Sequence, residues 1–493
     1  MKTRTAASLM NASFKAARPA TLDGEIKGFS LDSRSIAPGE LFFALLQEDY
    51  TRAGFNGTFA DSHEFINEAL QRGAIAAVAR RSRVEGDAQL DKLRDRLLLV
   101  DDVIAALQTL AHKVYEAWGH PVVGITGSAG KTTTKDLTAH VLDAAGRRVL
   151  KSARNYNNGL GLPLSVLQMV SDGNTPDAYD VAVLEMGMSS RGEIARLCKI
   201  TPPSVGVELL VAPVHLEYLG SLDAIAAEKA DLVANMKPDG VAVLNADDAR
   251  VLAMRSRHDG RSLTFGIENE ADITAVDIDA TRFGEIRFRL RTPLGDAPAM
   301  LPMPGRHNLM NALAAAAVAT VFEIETETIA RAFATAAAPH MRGEVLDFAA
   351  GFTVVDDSYN SNPRSLVSMV QTIAESGAER KRRLIVAGEM LELGHESAQM
   401  HRDAGRAIAA SGVDVLWGVR GMAREIIEGA RREGMTNAAI KFFESAEDAA
   451  AALAPELRAG DLVLVKGSRG VRMDKVVEYL RERFPLNNAD ESG

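Results

Sequence analysis

The run Gly124-Ile125-Thr126-Gly127-Ser128-Ala129-Gly130-Lys131-Thr132-Thr133 orders glycines, a lysine and threonines as phosphate chemistry requires. A Gly-rich turn between a β-branched strand and a helix aims successive backbone N–H groups inward. Together with the helix N-terminus they form a concave anion site. Lys131 supplies a point charge for β- and γ-phosphates, and the Thr132 hydroxyl is a ligand for Mg²⁺. The run departs from G-x-x-x-x-G-K-[ST] because Ile125 stands where the first Gly belongs. What remains is T-G-x-x-G-K-T, in which Gly127, Ser128, Ala129, Gly130, Lys131, Thr132 and Thr133 are the nucleotide-binding members. A tight turn with a surface lysine is the plain alternative, and three glycines with Lys-Thr-Thr outweigh it. The sequence predicts a nucleoside triphosphate site.

Other residues gather at predicted strand ends. Val181–Leu184 runs into Glu185, which places a carboxylate at the C-terminal edge of a strand, where open α/β sheets hold their ligands. A hard oxygen donor there suits Mg²⁺. His215 follows the run Gly206–Val211, and its place beside other strand ends favours a metal or phosphate role over a structural one. Lys229, in Ala226-Ala227-Glu228-Lys229-Ala230-Asp231, reads alone as a solvated lysine on a charged helix face. Asn308 and Asn311 lie at i, i+3 of a helix, so two carboxamides share one face; helix capping by Asn308 is compatible with that. Arg342 and Asp357 fall around the start of the last third of the chain. Cys198 reads as core.

These groups need a scaffold. The chain has 493 residues, 46% of them hydrophobic and 25% charged, which is several soluble domains of ordinary composition. A net charge of −10 argues against a general nucleic-acid or anionic-membrane binder. One cysteine excludes an internal disulfide and suits a reducing compartment. No signal peptide or membrane span is legible, so the expectation is a cytoplasmic protein. Strand and helix patterns divide the chain into three α/β parts: 1–115, 116–338 and 339–493. The middle part alternates short strands with helices, the mark of a mostly parallel sheet. The last part repeats that pattern at smaller scale.

Taken together, these motifs resemble the Mur ligase family, ATP-dependent amide-forming enzymes of peptidoglycan precursor synthesis. The T-G-x-x-G-K-T loop, Asn155-Tyr156-Asn157-Asn158-Gly159, Gly305-Arg306-His307-Asn308-Leu309-Met310-Asn311 and Asp356-Asp357-Ser358-Tyr359-Asn360-Ser361-Asn362-Pro363 carry the resemblance from about Asp32 to Glu478. It implies a small N-terminal α/β domain for the UDP moiety, a central phosphate-loop ATPase domain and a C-terminal Rossmann-like domain for the amino substrate. It implies ATP and two Mg²⁺ sites, with Thr132, Glu185 and His215 as ligands and Lys229, N-carbamylated, as a further one. Lys131, His215 and Lys229 become the catalytic set. Asn308 and Asn311 face adenine, and Arg342 and Asp357 hold ATP from the third domain. Ser33, Arg34, Asn157, Asn158, Asn360, Asn362, Glu392 and His401 are the implied substrate contacts. The implied substrates are UDP-N-acetylmuramoyl-tripeptide and D-alanyl-D-alanine, acted on by a monomer. Rival readings are a diaminopimelate- or lysine-adding ligase, a folylpolyglutamate synthetase-like ligase, or an ATP-binding regulator. The segment Asp49–Asp61 reads as an insertion that reshapes the loop near the UDP or peptide moiety.

Overall fold

The computed structural model describes residues 1–16, 19, 21–55, 57–153, 155–213, 219–375 and 382–487. They form three sheets. The first has five strands in the order Ser13–Phe14, Leu97–Val100, Ala76–Arg80, Glu40–Phe43 and Gly28–Ser30, parallel apart from the short edge pair Ser13–Phe14.

The central sheet has nine strands. Val122–Thr126 lies between Val181–Glu185 and Val205–Glu208, with all three parallel and fully buried. Such strands are covered on both faces, which is why they read as unbroken apolar runs. Outward from Val205–Glu208 the sheet continues through Val241–Asn245 and Arg261–Gly266. It ends in an antiparallel extension, Ile273–Asp279, Ile286–Thr292 and Gly295–Leu301, that the pattern of alternating strands and helices had not suggested. That extension alternates buried and exposed residues, as a one-sided sheet does.

Helix Arg306–Val321 is buried from Ala312 to Ala319 because its run of alanines lets helix Lys131–Ala144 and the sheet approach on all sides. Helix Val103–Trp118 bridges the first and central sheets. Asp102 caps it by accepting from the Ala105 N–H, and Gly119 (φ 73°) ends it. One hydrophobic core runs continuously through both sheets, from Ala6 to Met254.

The last sheet has six strands, ordered Glu344–Asp347, Thr353–Asp357, Asp461–Lys466, Arg382–Gly388, Val415–Val419 and Ile440–Phe443. Only the first of these is antiparallel. The segment Asp49–Asp61, expected as an insertion that reshapes a loop, begins inside the helix Gln47–Arg52. Asp49 is buried there against Arg80, 2.8 Å away, and Tyr50 stacks on Phe55 at 4.8 Å. Among the described residues no helix is long and apolar enough to cross a membrane.

Candidate active site

The phosphate loop forms where the sequence puts it, between Val122–Thr126 and the helix starting at Lys131. Gly127 (φ 156°) and Gly130 (φ 87°) take conformations that L side chains rarely adopt, and neither has room for one. A Cβ on Gly127 would stand 2.7 Å from Leu209 Cβ, and one on Gly130 would strike the Asn311 carboxamide oxygen. The loop is pinned to the next strand's exit: Ser128 N–H donates to Leu210 O, and Ser128 Oγ donates to Ala212 O and accepts from its N–H. Lys131 Nζ donates to Gly127 O at 2.7 Å, folded back over its own turn. Burial pushes the Lys131 ammonium below its usual range, with the nearby Arg342 charge in the same direction and Glu185 and Glu208 opposing.

Glu185 is buried at its strand end, and its backbone N–H donates to Ser152 Oγ. Lys135, one turn after Lys131, lies 3.6 Å from Glu185 Oε1 and donates to Ser152 O. Across the central strand, Glu208 pairs in register with Thr126. Gly206, two residues before it, faces Leu232 of helix Leu222–Ala234, so Glu208 shares that face. Lys229 sits on the same helix, three residues before Leu232. The solvated reading of Lys229 is therefore overturned: the side chain is 2% exposed. Burial, aided by the Lys131 charge, pushes its amine down to about 7 against the pull of Glu208 and Glu228. Glu208 is pushed well above the ordinary carboxylate range by burial, which Lys229 and Lys131 oppose.

Glu208 and Lys135 are the site residues the sequence reading missed. The signal for Glu208 was a carboxylate at a buried position of an apolar strand, Val205-Gly206-Val207-Glu208. Glu185 Oε1 and both Glu208 oxygens are buried with no hydrogen-bond partner among the described residues. Orphaned hard oxygens beside a phosphate loop fit a divalent cation such as Mg²⁺. His215 lies outside the described residues.

Asn308 and Asn311 are both buried, and Asn311 Nδ2 donates to Asn308 Oδ1 at 3.4 Å. Asn308 Nδ2 donates to Pro304 O and lies near Gly343 of the interdomain linker. Arg342 therefore enters beside the phosphate loop. Asp357 forms a 2.6 Å ion pair with the buried Lys466.

The expected substrate contacts are dispersed, and several serve the fold. Ser33 is buried, and Arg34 is exposed in a two-point ion pair with Asp32, which holds that carboxyl down at about 2. Asn157 packs on Gly187, just past Glu185. Asn158 Oδ1 accepts from Leu160 and Gly161 N–H groups and so caps helix Gly161–Leu167. Asn362 likewise caps helix Pro363–Glu375, accepting from Ser365 N–H, and Asn360 O accepts from Lys466. His401 is buried with both ring nitrogens engaged, Nδ1 at Ser397 O and Nε2 at the Met390 N–H. It fixes the 388–393 loop rather than facing solvent. Glu392, exposed at φ 63°, is on that loop. The 46–62 segment packs Phe55 on Gly159 and Gly54 near Arg196, beside the Asn-rich turn.

A phosphate loop on a mostly parallel sheet, flanked by two α/β units that reach its strand ends, defines a nucleoside-triphosphate-dependent enzyme of the phosphate-loop class. Comparison with known proteins agrees. Residues 125–319 match the Mur ligase middle domain, and residues 341–469 match the Mur ligase, glutamate ligase domain. The chain belongs to the Mur ligase family. It is 31% identical to the UDP-N-acetylmuramoyl-tripeptide–D-alanyl-D-alanine ligase of Bacillus subtilis, over 93% of each chain. With its Escherichia coli K12 counterpart it shares 33% identity over 94% of this chain and 96% of that one. A crystal structure of MurF from Acinetobacter baumannii superposes with a TM-score of 0.82 at 27% identity, covering 98% of this chain and 99% of the other. MurF ligase from Thermotoga maritima in complex with ADP gives 0.77 at 28% identity, over 92% and 97%.

Proposed function

We propose that this ligase joins D-alanyl-D-alanine to the C-terminal carboxylate of UDP-N-acetylmuramoyl-tripeptide at the expense of ATP, in peptidoglycan precursor synthesis. The near full-length similarity to UDP-N-acetylmuramoyl-tripeptide–D-alanyl-D-alanine ligases carries this reading. The nucleotide site follows from the loop geometry and from the ADP-bound structural relative.

A carboxylate resists attack by an amine until its oxygen becomes a good leaving group. The loop amides and Lys131 hold the β- and γ-phosphates, Lys131 exchanging Gly127 O for a phosphate oxygen. The tripeptide carboxylate then takes the γ-phosphoryl group as an acyl phosphate, and ADP leaves. Mg²⁺, when bound, offsets charge on the phosphoryl oxygens during transfer. Thr132 and Glu185 would hold one ion, and His215 with N-carbamylated Lys229 a second. Arg342 and Asp357 would hold the nucleotide from the third domain, closing the site over it. The dipeptide amine attacks the acyl carbon, phosphate departs, and an amide forms with loss of one proton.

The amino substrate enters by the cleft of about 560 Å³ between Pro213 of the central domain and the helices Pro363–Glu375 and Ser397–Ala410. Val367, Met400 and Ala404 offer apolar contact for two methyl groups, and Arg364 offers a cation for the dipeptide carboxylate.

The test is an ADP-release assay with UDP-tripeptide and a panel of amines. Release with D-alanyl-D-alanine and not with free diaminopimelate, lysine or glutamate is expected. Release with one of those amino acids instead, or with no acyl substrate at all, overturns the reading.

A further inference from the structure

No protein anion among the described residues pairs with Arg342. Among the described residues its guanidinium makes no hydrogen bond or ion pair, although it carries five N–H donors. Its contact is aromatic: the guanidinium carbon lies 4.0 Å from the centroid of the Tyr359 ring. Arg469 approaches the same ring at 5.7 Å, and Arg469 is paired with Asp474.

The backbone around Arg342 is fixed on both sides. Met341 (φ 62°) and Gly343 (φ 78°) are left-handed, Gly343 N–H donates to Asp356 O, and Tyr359 N–H donates to Met341 O. The linker is thus stitched to the turn that ends strand Thr353–Asp357, the turn that carries Tyr359. On its other side Gly343 lies against Asn308 at the start of helix Arg306–Val321, and the Arg342 charge is felt at Lys131. A flat guanidinium held at such a point has its donors free for a phosphate oxygen.

We propose that Tyr359 is a positioning residue whose ring holds the Arg342 guanidinium flat and aimed at the phosphates of the bound nucleotide. The aim then depends on the 356–359 turn being docked on the linker, so the place of the third domain is read out as charge at the phosphate loop. This inference rests on the nucleotide site proposed above. The ring, not the hydroxyl, does the holding.

The test compares Tyr359→Phe with Tyr359→Leu in the full-length enzyme, measuring ADP and AMP affinity by calorimetry beside the thermal midpoint. Tyr359→Phe is expected to keep wild-type ADP affinity. Tyr359→Leu is expected to lose about 10-fold in ADP affinity, with a smaller loss for AMP, which lacks the outer phosphate. In an Arg342→Ala background Tyr359→Leu is expected to add nothing. Unchanged ADP affinity in Tyr359→Leu, or full additivity with Arg342→Ala, overturns the proposal. Should Tyr359→Leu not fold, Arg342→Lys keeps the charge and removes the stacking fork. A 10-fold loss is again expected there, and wild-type affinity overturns the proposal. A wild-type enzyme that bound no ADP would instead sink the nucleotide site itself.

Discussion

The Asn311 carboxamide oxygen fills the space that a Cβ on Gly130 would need, and Thr134 Oγ1 donates to that same oxygen at 3.3 Å. The helix Arg306–Val321 is thereby locked against the phosphate loop, and the loop's second glycine is required twice, by φ and by space. Gly130→Ala should cost about 2 kcal/mol or more, from left-handed strain of about 1–2 kcal/mol plus the collision. Urea denaturation should show that loss, and ADP titration should show weakened binding. Adding Asn311→Ala should recover the part due to collision and leave the part due to φ. A Gly130→Ala enzyme with wild-type stability would show that the loop yields freely.

Local spacing made the loop, Glu185 and the two asparagines legible, because a strand, a turn and a helix each fix the positions of their neighbours. What stayed hidden depends on which face a residue turns and what meets it there. Glu208 belongs to the site only because Gly206 and Lys229 place it under one helix. Lys135 belongs because Lys131 lies one turn before it and Glu185 lies across from it. Asn158, Asn362 and His401 carry the right residue types for substrate contact. Their polar atoms are nonetheless engaged by helix ends and a loop, demands that any fold makes of such residues. The antiparallel extension Ile273–Leu301 was not legible because it follows directly on a parallel series, although Ile286–Thr292 alternates apolar and charged residues as a one-sided strand does.

The cleft beside Pro213 makes a separable claim about Arg364. Its guanidinium is 3.9 Å from Asp248 Oδ2, a loose pair that a substrate carboxylate could replace. Arg364→Ala should raise the KM for D-alanyl-D-alanine about 10-fold or more and leave the KM for ATP and UDP-tripeptide within about 2-fold. Steady-state kinetics with each substrate varied in turn decides it. Equal rises in all three KM values would point to a general disturbance of the domain contact.

Lys229 should take up CO₂. The attacking form is the unprotonated amine, and burial holds this one down to about 7, so it is available at neutral pH. Nitrogen bonds to carbon, one proton is lost, and a carbamate replaces the amine. With ¹³C-labelled bicarbonate, a carbamate resonance is expected in the wild type and its absence in Lys229→Arg. A spectrum without that resonance, recorded with ADP and Mg²⁺ present, would leave Lys229 acting as an amine.

His307 gives the chain an acid-sensitive seam. It lies at the start of helix Arg306–Val321, with Nδ1 3.5 Å from Ser368 Oγ on the third-domain helix Pro363–Glu375. Burial at that contact pushes its imidazole down to about 4; the Asp357 charge resists this and the Lys466 charge adds to it. The folded state therefore binds the proton less readily than the unfolded chain, whose imidazole titrates near 6.5. For a depressed pKa the stabilising contribution is complete above the unfolded value. It is lost as pH falls from about 6.5 through about 4. The full difference between about 6.5 and about 4 corresponds to about 3.4 kcal/mol. Gln at this position keeps a polar side chain and cannot titrate. Wild type and His307→Gln should therefore run parallel above about pH 7 and diverge below about 6.5, the wild type falling faster. Urea midpoints taken from pH 7.5 to 4.5 would read this directly. Since the proton arrives at the contact between central and third domains, the earliest loss should be in their docking, visible as protease sensitivity of the linker around Arg342 before either sheet unfolds. Profiles that stay parallel down to pH 4.5 would mean that the imidazole keeps enough water to protonate in place.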